Sequence, residues 1–206
     1  MIKRLIKFVC HKIYTIGKFE DLRINGESRK KYLDQIAEIE ESAIISPESG
    51  IYNSQKNKSS IRIGKKTYIM GDLLVFKHGG RISIGSYCFV GPQTRIWSAK
   101  NITIGDRVLI SHNVNIHDNI SHPLDSKERH LDFARYLEHG LADSIDLKEA
   151  DVIIEDDVWL GFNCVILKGV TIGRGAIIGA NTLISKDVPA YAVVVGNPST
   201  IIKYAS

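Results

Sequence analysis

The chain has 206 residues, 44% hydrophobic and 24% charged, with a formal net charge of +4. That is too apolar for a disordered chain and long enough for one sizeable core or one elongated repeat domain. Lys and Arg are scattered rather than massed and no recognition motif accompanies them, which argues against nucleic acid. Cys10, Cys88 and Cys164 are too far apart for a disulfide framework or a Cys-x-x-Cys metal site, so they are expected as buried thiols in a reducing cytoplasm.

The N-terminus MIKRLIKFVCHKIYTIGK places Ile2, Leu5, Ile6, Val9, Ile13 and Ile16 at roughly helical spacing, with basic residues and no acid. It lacks the long apolar run of a spanning helix and the small-residue cleavage site of a signal peptide. It is expected to pack on the end of the core, and its charge suits peripheral contact of residues 1–18 with the inner face of an anionic membrane. Residues 27–42 read as a second helix and IISPESGIYNSQKN as a loop, making 1–60 a helical and extended region ahead of the main domain, 61–204.

From there a period of six takes over. Ile63 and Ile69 open it; Ile84, Val90, Ile96 and then Ile104, Ile110, Ile116 continue it, with Thr67, Cys88, Thr94, Val108 and Val114 at the fourth place after an aliphatic. Neither the helical period nor the strand period fits, whereas short strands joined by tight turns in a solenoid do. Glycines 64, 85, 91, 105, 161, 173 and 179 follow the aliphatics and predict turns of positive φ.

After Ile116 the period breaks. Residues 117–151 contain His117, His122, His130 and His139, and nine Asp or Glu against four Lys or Arg. An excursion this long from a compact solenoid points to function. The period then resumes at Ile154, Leu160, Ile166, Ile172, Ile178 and Ile184 without a slip. If three hexapeptides make one coil, residues eighteen apart stack, and Ile154 meets Ile172, Leu160 meets Ile178 and Ile166 meets Ile184.

The segments IGSYCFVGPQTRIW, IGDRVLISHNVNI and IEDDVWLGFNCVILKGVTIGRGAIIGANTLISKDVPAYAVVVGNPSTIIK resemble the hexapeptide-repeat acyltransferases, over about residues 61–204. The resemblance implies an all-β left-handed parallel β-helix, a homotrimer, and acetyl-CoA as acyl donor bound between subunits, with no metal. SHPLD is similar to the family's His-Pro segment, which makes His122 the expected general base. A neutral imidazole can take the proton of a hydroxyl as it attacks a thioester, and Asp118 is a candidate to hold its other nitrogen. Carried over likewise are Trp159, Gly161, Ala180, Ser185, Lys186 and Lys203 toward acetyl-CoA, and Gln93 and Trp97 toward the acceptor. Thr200 stands where the family often has a basic residue, and the small helical cap of the maltose and galactoside enzymes is missing from the first sixty residues.

The implied reaction is acetylation of a sugar hydroxyl, in bacterial capsule or lipopolysaccharide synthesis, with amino-sugar or antibiotic acetylation as alternatives. A rival of another class is a zinc enzyme similar to the gamma carbonic anhydrases, since His112, His117 and His122 lie five apart. That family needs a further upstream His, and here Arg81 stands in its register with His78 three residues away. A non-catalytic scaffold is the third reading, and it leaves the His-Pro loop without a task.

Overall fold

A computed structural model describes residues 26–140 and 142–205. The six-residue period becomes a left-handed parallel β-helix with three faces. Each aliphatic points inward from a strand of two to four residues, and the chain turns a corner before the next strand. Among the described residues the three sheets hold six, eight and six strands.

The first sheet stacks β1 (Glu38–Ile39), β4 (Ile61–Ile63), β7 (Ile82–Ile84), β10 (Ile102–Ile104), β13 (Val152–Ile154) and β16 (Thr171–Ile172). The second runs through β2 (Ile44–Ile45), β5 (Tyr68–Ile69), β8 (Phe89–Val90), β11 (Leu109–Ile110), β14 (Trp159–Leu160), β17 (Ile177–Ile178) and β19 (Ala192–Val195) to β20 (Thr200–Tyr204). The third holds β3 (Ile51–Asn53), β6 (Asp72–Val75), β9 (Arg95–Ser98), β12 (Asn115–His117), β15 (Val165–Ile166) and β18 (Leu183–Ile184).

The expected columns form: Ile154 pairs with Ile172, Leu160 with Ile178 and Ile166 with Ile184. The register survives the long excursion, since Ile104 pairs with Ile154, Ile110 with Leu160 and Ile116 with Ile166. These side chains are almost wholly buried, and each contributes about 1.5–3 kcal/mol of hydrophobic stabilisation.

The small residues at the fourth place have a second task. Thr67 Oγ1 donates to Gly85 O at 2.7 Å and Thr94 Oγ1 to Ser111 O at 2.7 Å, while Cys88 Sγ reaches Gly105 O at 3.1 Å and Cys164 Sγ reaches Gly179 O at 3.0 Å. Each corner is thereby tied to the coil above it. Burial raises the pKa of both thiols, so neither supplies thiolate at neutral pH. In a Cys10→Ser protein, an aromatic disulfide reagent at pH 7.5 should label Cys88 and Cys164 only after denaturation. Rapid labelling of the native protein would contradict this assignment.

Two expectations are corrected. First, the solenoid begins at Glu38, because β1 pairs with β4, β2 with β5 and β3 with β6. The helix expected over 27–42 is only α1 (Gly26–Ile36), and the expected loop contains two strands. Second, the repeat glycines do not take positive φ. That conformation falls on Lys66, Tyr87, Arg107 and Asp157 at one corner and on Gln93, Asn113, Asn163 and Asn181 at another. The glycines serve close approach instead: a Cβ on Gly64 would lie 2.6 Å from Gly85 C, and one on Gly161 would lie 2.7 Å from Ala180 N. At the C-terminal end of the described residues, strand β20 runs antiparallel to β19. The N-terminal stripe of residues 1–18, with Cys10, lies outside the described residues; among those described, no helix is long and apolar enough to cross a membrane.

Candidate functional site

The excursion leaves the third sheet after β12 and returns at β13, and its base is pinned by one carboxylate. Asp118 is fully buried. It accepts from Ser98 Oγ at 2.6 Å, Ala99 N at 2.8 Å, Lys100 N at 2.9 Å and Asn119 Nδ2 at 3.0 Å. A buried carboxylate is tolerated only when its lone pairs are met in this way. Its backbone O also accepts from Ala150 N at 2.9 Å, and Ile120 N donates to Leu147 O at 3.1 Å, closing the two feet of the loop together over buried Leu147.

His122 follows within four residues. Its ring is exposed, and its backbone N–H donates to Ile120 O at 2.7 Å across Ser121, whose φ is +62°. Pro123 on the other side biases His122 toward extended backbone. The structure does not bring Asp118 to this imidazole: every donor on the carboxylate is a group other than His122. The expected orienting role for Asp118 is corrected to an anchoring one, because burial demands more donors than one ring nitrogen supplies.

Beyond Pro123, Asp125 caps helix α2 (Ser126–His139), accepting from Lys127 N and Glu128 N at 2.9 Å each, and Gly140 ends it at φ +81°. Between this helix and the returning chain is a cavity of about 540 Å³, lined by Ile120, Pro123, Leu124, Asp132, Arg135 and Lys148 among others. It flanks His122 on both sides in sequence.

Next to the loop lies the outer face of the third sheet. His117 pairs in register with Trp97, their ring centroids 5.1 Å apart and inclined by 30°. His117 Nε2 is buried and meets no hydrogen-bond partner among the described residues. Burial lowers the pKa of this imidazole, with Arg95 acting in the same direction and Asp118 against it. Gln93 stands exposed at a corner in the left-handed conformation, and its position serves the turn as well as any ligand.

The lowered pKa has a sign. Above the unfolded value of 6.5 both states hold His117 neutral and the group is silent. Below it the unfolded chain takes a proton that the folded chain refuses, so stability is lost on acidification until the folded pKa is passed. His117→Phe, which keeps a ring beside Trp97, should therefore lose less stability than the parent between pH 7 and 5 in thermal unfolding. An equal acid slope in both proteins would refute this.

The residues carried over for acetyl-CoA fall into three groups. Trp159, half exposed, occupies one row of the second sheet with Ile177, Val193 and Lys203. Three strand spacings put Trp159 about 14 Å from Lys203. Gly161 packs directly under Ala180. Ser185 and Lys186 are exposed after β18, where the third sheet ends. The acceptor candidates and His122 lie with the third sheet and its loop, so one chain distributes the expected site over two faces and a corner. His112 is engaged elsewhere, stacked on Phe162 with centroids 5.2 Å apart and planes 3° from parallel. Among the described residues no three His, Cys, Asp or Glu side chains gather as a metal site would require.

Residues 151–186 match the family described as bacterial transferase hexapeptide, six repeats. That stretch carries the hexapeptide repeats of the later coils, and the fold around it is a parallel β-helix. A Schizosaccharomyces pombe protein named as an acetyltransferase is 32% identical over 130 residues, 63% of this chain, and the chain spans only 56% of that relative's length. Two solved structures share the fold. AntD, an N-acyltransferase from Bacillus cereus in complex with dTDP and 3-hydroxybutyryl-CoA, superposes with a TM-score of 0.67 at 21% identity, covering 88% of this chain and 89% of its own. The polySia-specific acetyltransferase NeuO gives 0.62 at 25% identity, covering 82% and 66%.

Proposed function

We propose that the protein transfers an acetyl group from acetyl-CoA to a hydroxyl of a sugar, with His122 as general base. The observation that carries this reading is the anchoring of the His-Pro segment: a buried carboxylate, two coil N–H groups and a hydroxyl fix the foot of a loop that presents an exposed imidazole beside a cavity. A structural excursion needs no such expense of buried polar groups.

In this reading His122 takes the proton of the acceptor hydroxyl as its oxygen attacks the thioester carbonyl. The tetrahedral intermediate collapses, the C–S bond breaks, and the imidazolium returns its proton to the departing thiolate, giving ester and free CoA without an acyl-enzyme. Trp97 offers an aromatic face to a sugar ring. The row of Trp159 and Lys203 suits the donor, with Trp159 walling the thioester end and Lys203 meeting phosphate as a point charge. Ala180 and Gly161 leave room for the pantetheine arm, and Ser185 and Lys186 suit the nucleotide phosphates.

Because one chain spreads these groups over separate faces, the reading requires a homotrimer in which the donor groove of one subunit faces the loop of the next. The acidic balance of the loop favours a neutral sugar over a phosphorylated one beneath it. A polysaccharide precursor of capsule or lipopolysaccharide, acetylated in the cytoplasm near the membrane, meets these conditions. Since AntD is an N-acyltransferase, amino-sugar acylation is the second reading, and antibiotic acetylation shares the same chemistry.

The test is thiol release from acetyl-CoA by purified protein against saccharide, amino-sugar and antibiotic acceptors, in parallel with elemental analysis for zinc. Release that depends on a saccharide bearing only hydroxyls and proceeds in metal-free protein is the expected result. Stoichiometric zinc with no release against any acceptor would move the assignment to the zinc enzyme.

A further inference from the structure

Asn119 is nearly as buried as Asp118, at 6% exposure, and it is the link between the anchored foot of the loop and His122. Its Nδ2 donates to Asp118 Oδ1 at 3.0 Å, while its Oδ1 accepts from Ser121 N at 2.8 Å. The amide thus has one end on the carboxylate held by Ser98, Ala99 and Lys100 and the other on the residue before the imidazole.

Between Asn119 and His122 the backbone is in an uncommon state. Ser121 has φ +62° without being glycine, and the N–H of His122 closes a three-residue turn on Ile120 O. Tight turns of positive φ at non-glycine residues are strained and persist where the surroundings over-determine them. Here the surroundings are the Asn119 side chain, which fixes the Ser121 N–H, and the Ile120 N–H bond to Leu147 O. A turn held at so many points has one consequence in reach of chemistry, the direction in which residue 122 leaves it.

We infer that Asn119 is a positioning residue for His122: its side-chain amide, clamped between the Asp118 carboxylate and the Ser121 N–H, sets the turn that aims the imidazole. The inference rests on the reading of His122 as general base. Asn119 is nearly buried and its amide is engaged by Asp118 and Ser121, so its removal should act on the reacting geometry and leave donor binding alone.

The test measures kcat, KM for acetyl-CoA and the pH profile for four proteins: the parent, Asn119→Ala, Asn119→Asp and His122→Ala. Misplacing a catalytic group by about 1 Å costs on the order of 10²-fold in rate. Asn119→Ala should therefore lose about that much kcat, with KM for acetyl-CoA within about twofold of the parent. Asn119→Asp keeps an acceptor for the Ser121 N–H but sets a second carboxylate against Asp118. Two such groups share a proton as pH falls, which restores the missing donor. Its kcat optimum should therefore move to lower pH than the parent's.

Asn119→Ala at parental kcat, with His122→Ala inactive, would overturn the positioning role and leave the base reading standing. Parental turnover by His122→Ala would remove the base reading and this inference with it. Should Asn119→Ala not fold, Asn119→Asp decides alone, since a pH profile that superposes on the parent's contradicts the inference.

Discussion

His122→Ala is expected to lower kcat by about 10²–10⁴-fold while leaving assembly and acetyl-CoA binding intact. The argument is one of location. The ring is exposed and lies in the excursion, outside the columns of Ile, Leu and Val that hold the coils together. Its truncation removes no core contact and leaves the Asp118 cluster with all four donors. What disappears is the proposed acceptor of the hydroxyl proton, and an alcohol at neutral pH attacks a thioester poorly without such a base. Initial rates with saturating acceptor, alongside acetyl-CoA binding by calorimetry, read both halves. Turnover within about threefold of the parent would be far above the loss expected for a removed base and would sink the assignment.

Gly85→Val is expected to destabilise the fold by about 3 kcal/mol or more, among the largest effects a single substitution has here. A Cβ at Gly85 would lie 2.5 Å from Gly105 O and 2.6 Å from Gly105 C. Those atoms are backbone, and the coil cannot spread locally because Gly85 N is bonded to Ile104 O at 2.8 Å. Gly64 meets the same obstacle one coil below, against Gly85 itself. By contrast Gly179 faces the side chain of Val195, which can give, so Gly179→Ala should cost much less. At roughly 2–4 °C per kcal/mol for a domain of this size, Gly85→Val should lower the melting temperature by about 6–12 °C. A shift within about 2 °C would mean that the coils are not in contact through this corner.

These two substitutions probe parts of the molecule that differed in how plainly the sequence announced them. The columns were legible because a six-residue period admits few other windings, and the register across the excursion followed once Ile154 resumed it. The first coil obeys the same period, with Ile39, Ile45 and Ile51 six apart. It was hidden because the next place is Asn57, which instead caps the short 3-10 turn Lys58–Ser60 by accepting from Ser59 N. The glycines were found but their reason was not, since a one-letter G does not distinguish a positive φ from a close approach. Only the stacking of one corner on the next decides it. The asparagines at the neighbouring corner carry both signals: Asn113, Asn163 and Asn181 take positive φ and form a ladder, Nδ2 to Oδ1 at 2.6 and 3.1 Å.

The site was legible as a segment and not as a geometry. His-Pro in a long break singled out His122, whereas helix α2 inside that break went unread although Asp125 and Glu128 carry its cap signal. Asp118 looked like a partner for the imidazole because it is near in sequence. Three of its four partners, Ser98, Ala99 and Lys100, are eighteen to twenty residues away and become neighbours only when the coil is closed. The same holds for His117, whose contact with Trp97 arises from stacking of successive turns. Neither relation can be read before the number of residues per turn is known.

The most direct measurement of the central claim follows the acetyl group itself. Acetyl-CoA labelled in the acetyl carbon is incubated with metal-free protein and a hydroxyl-only oligosaccharide acceptor, and the purified product is analysed by mass spectrometry before and after mild alkali. The account predicts one labelled acetyl per modified sugar, removed by alkali as an oxygen ester is, and absent from the His122→Ala reaction. Label that appears only on amino sugars and resists alkali, or label that never leaves CoA, would contradict it.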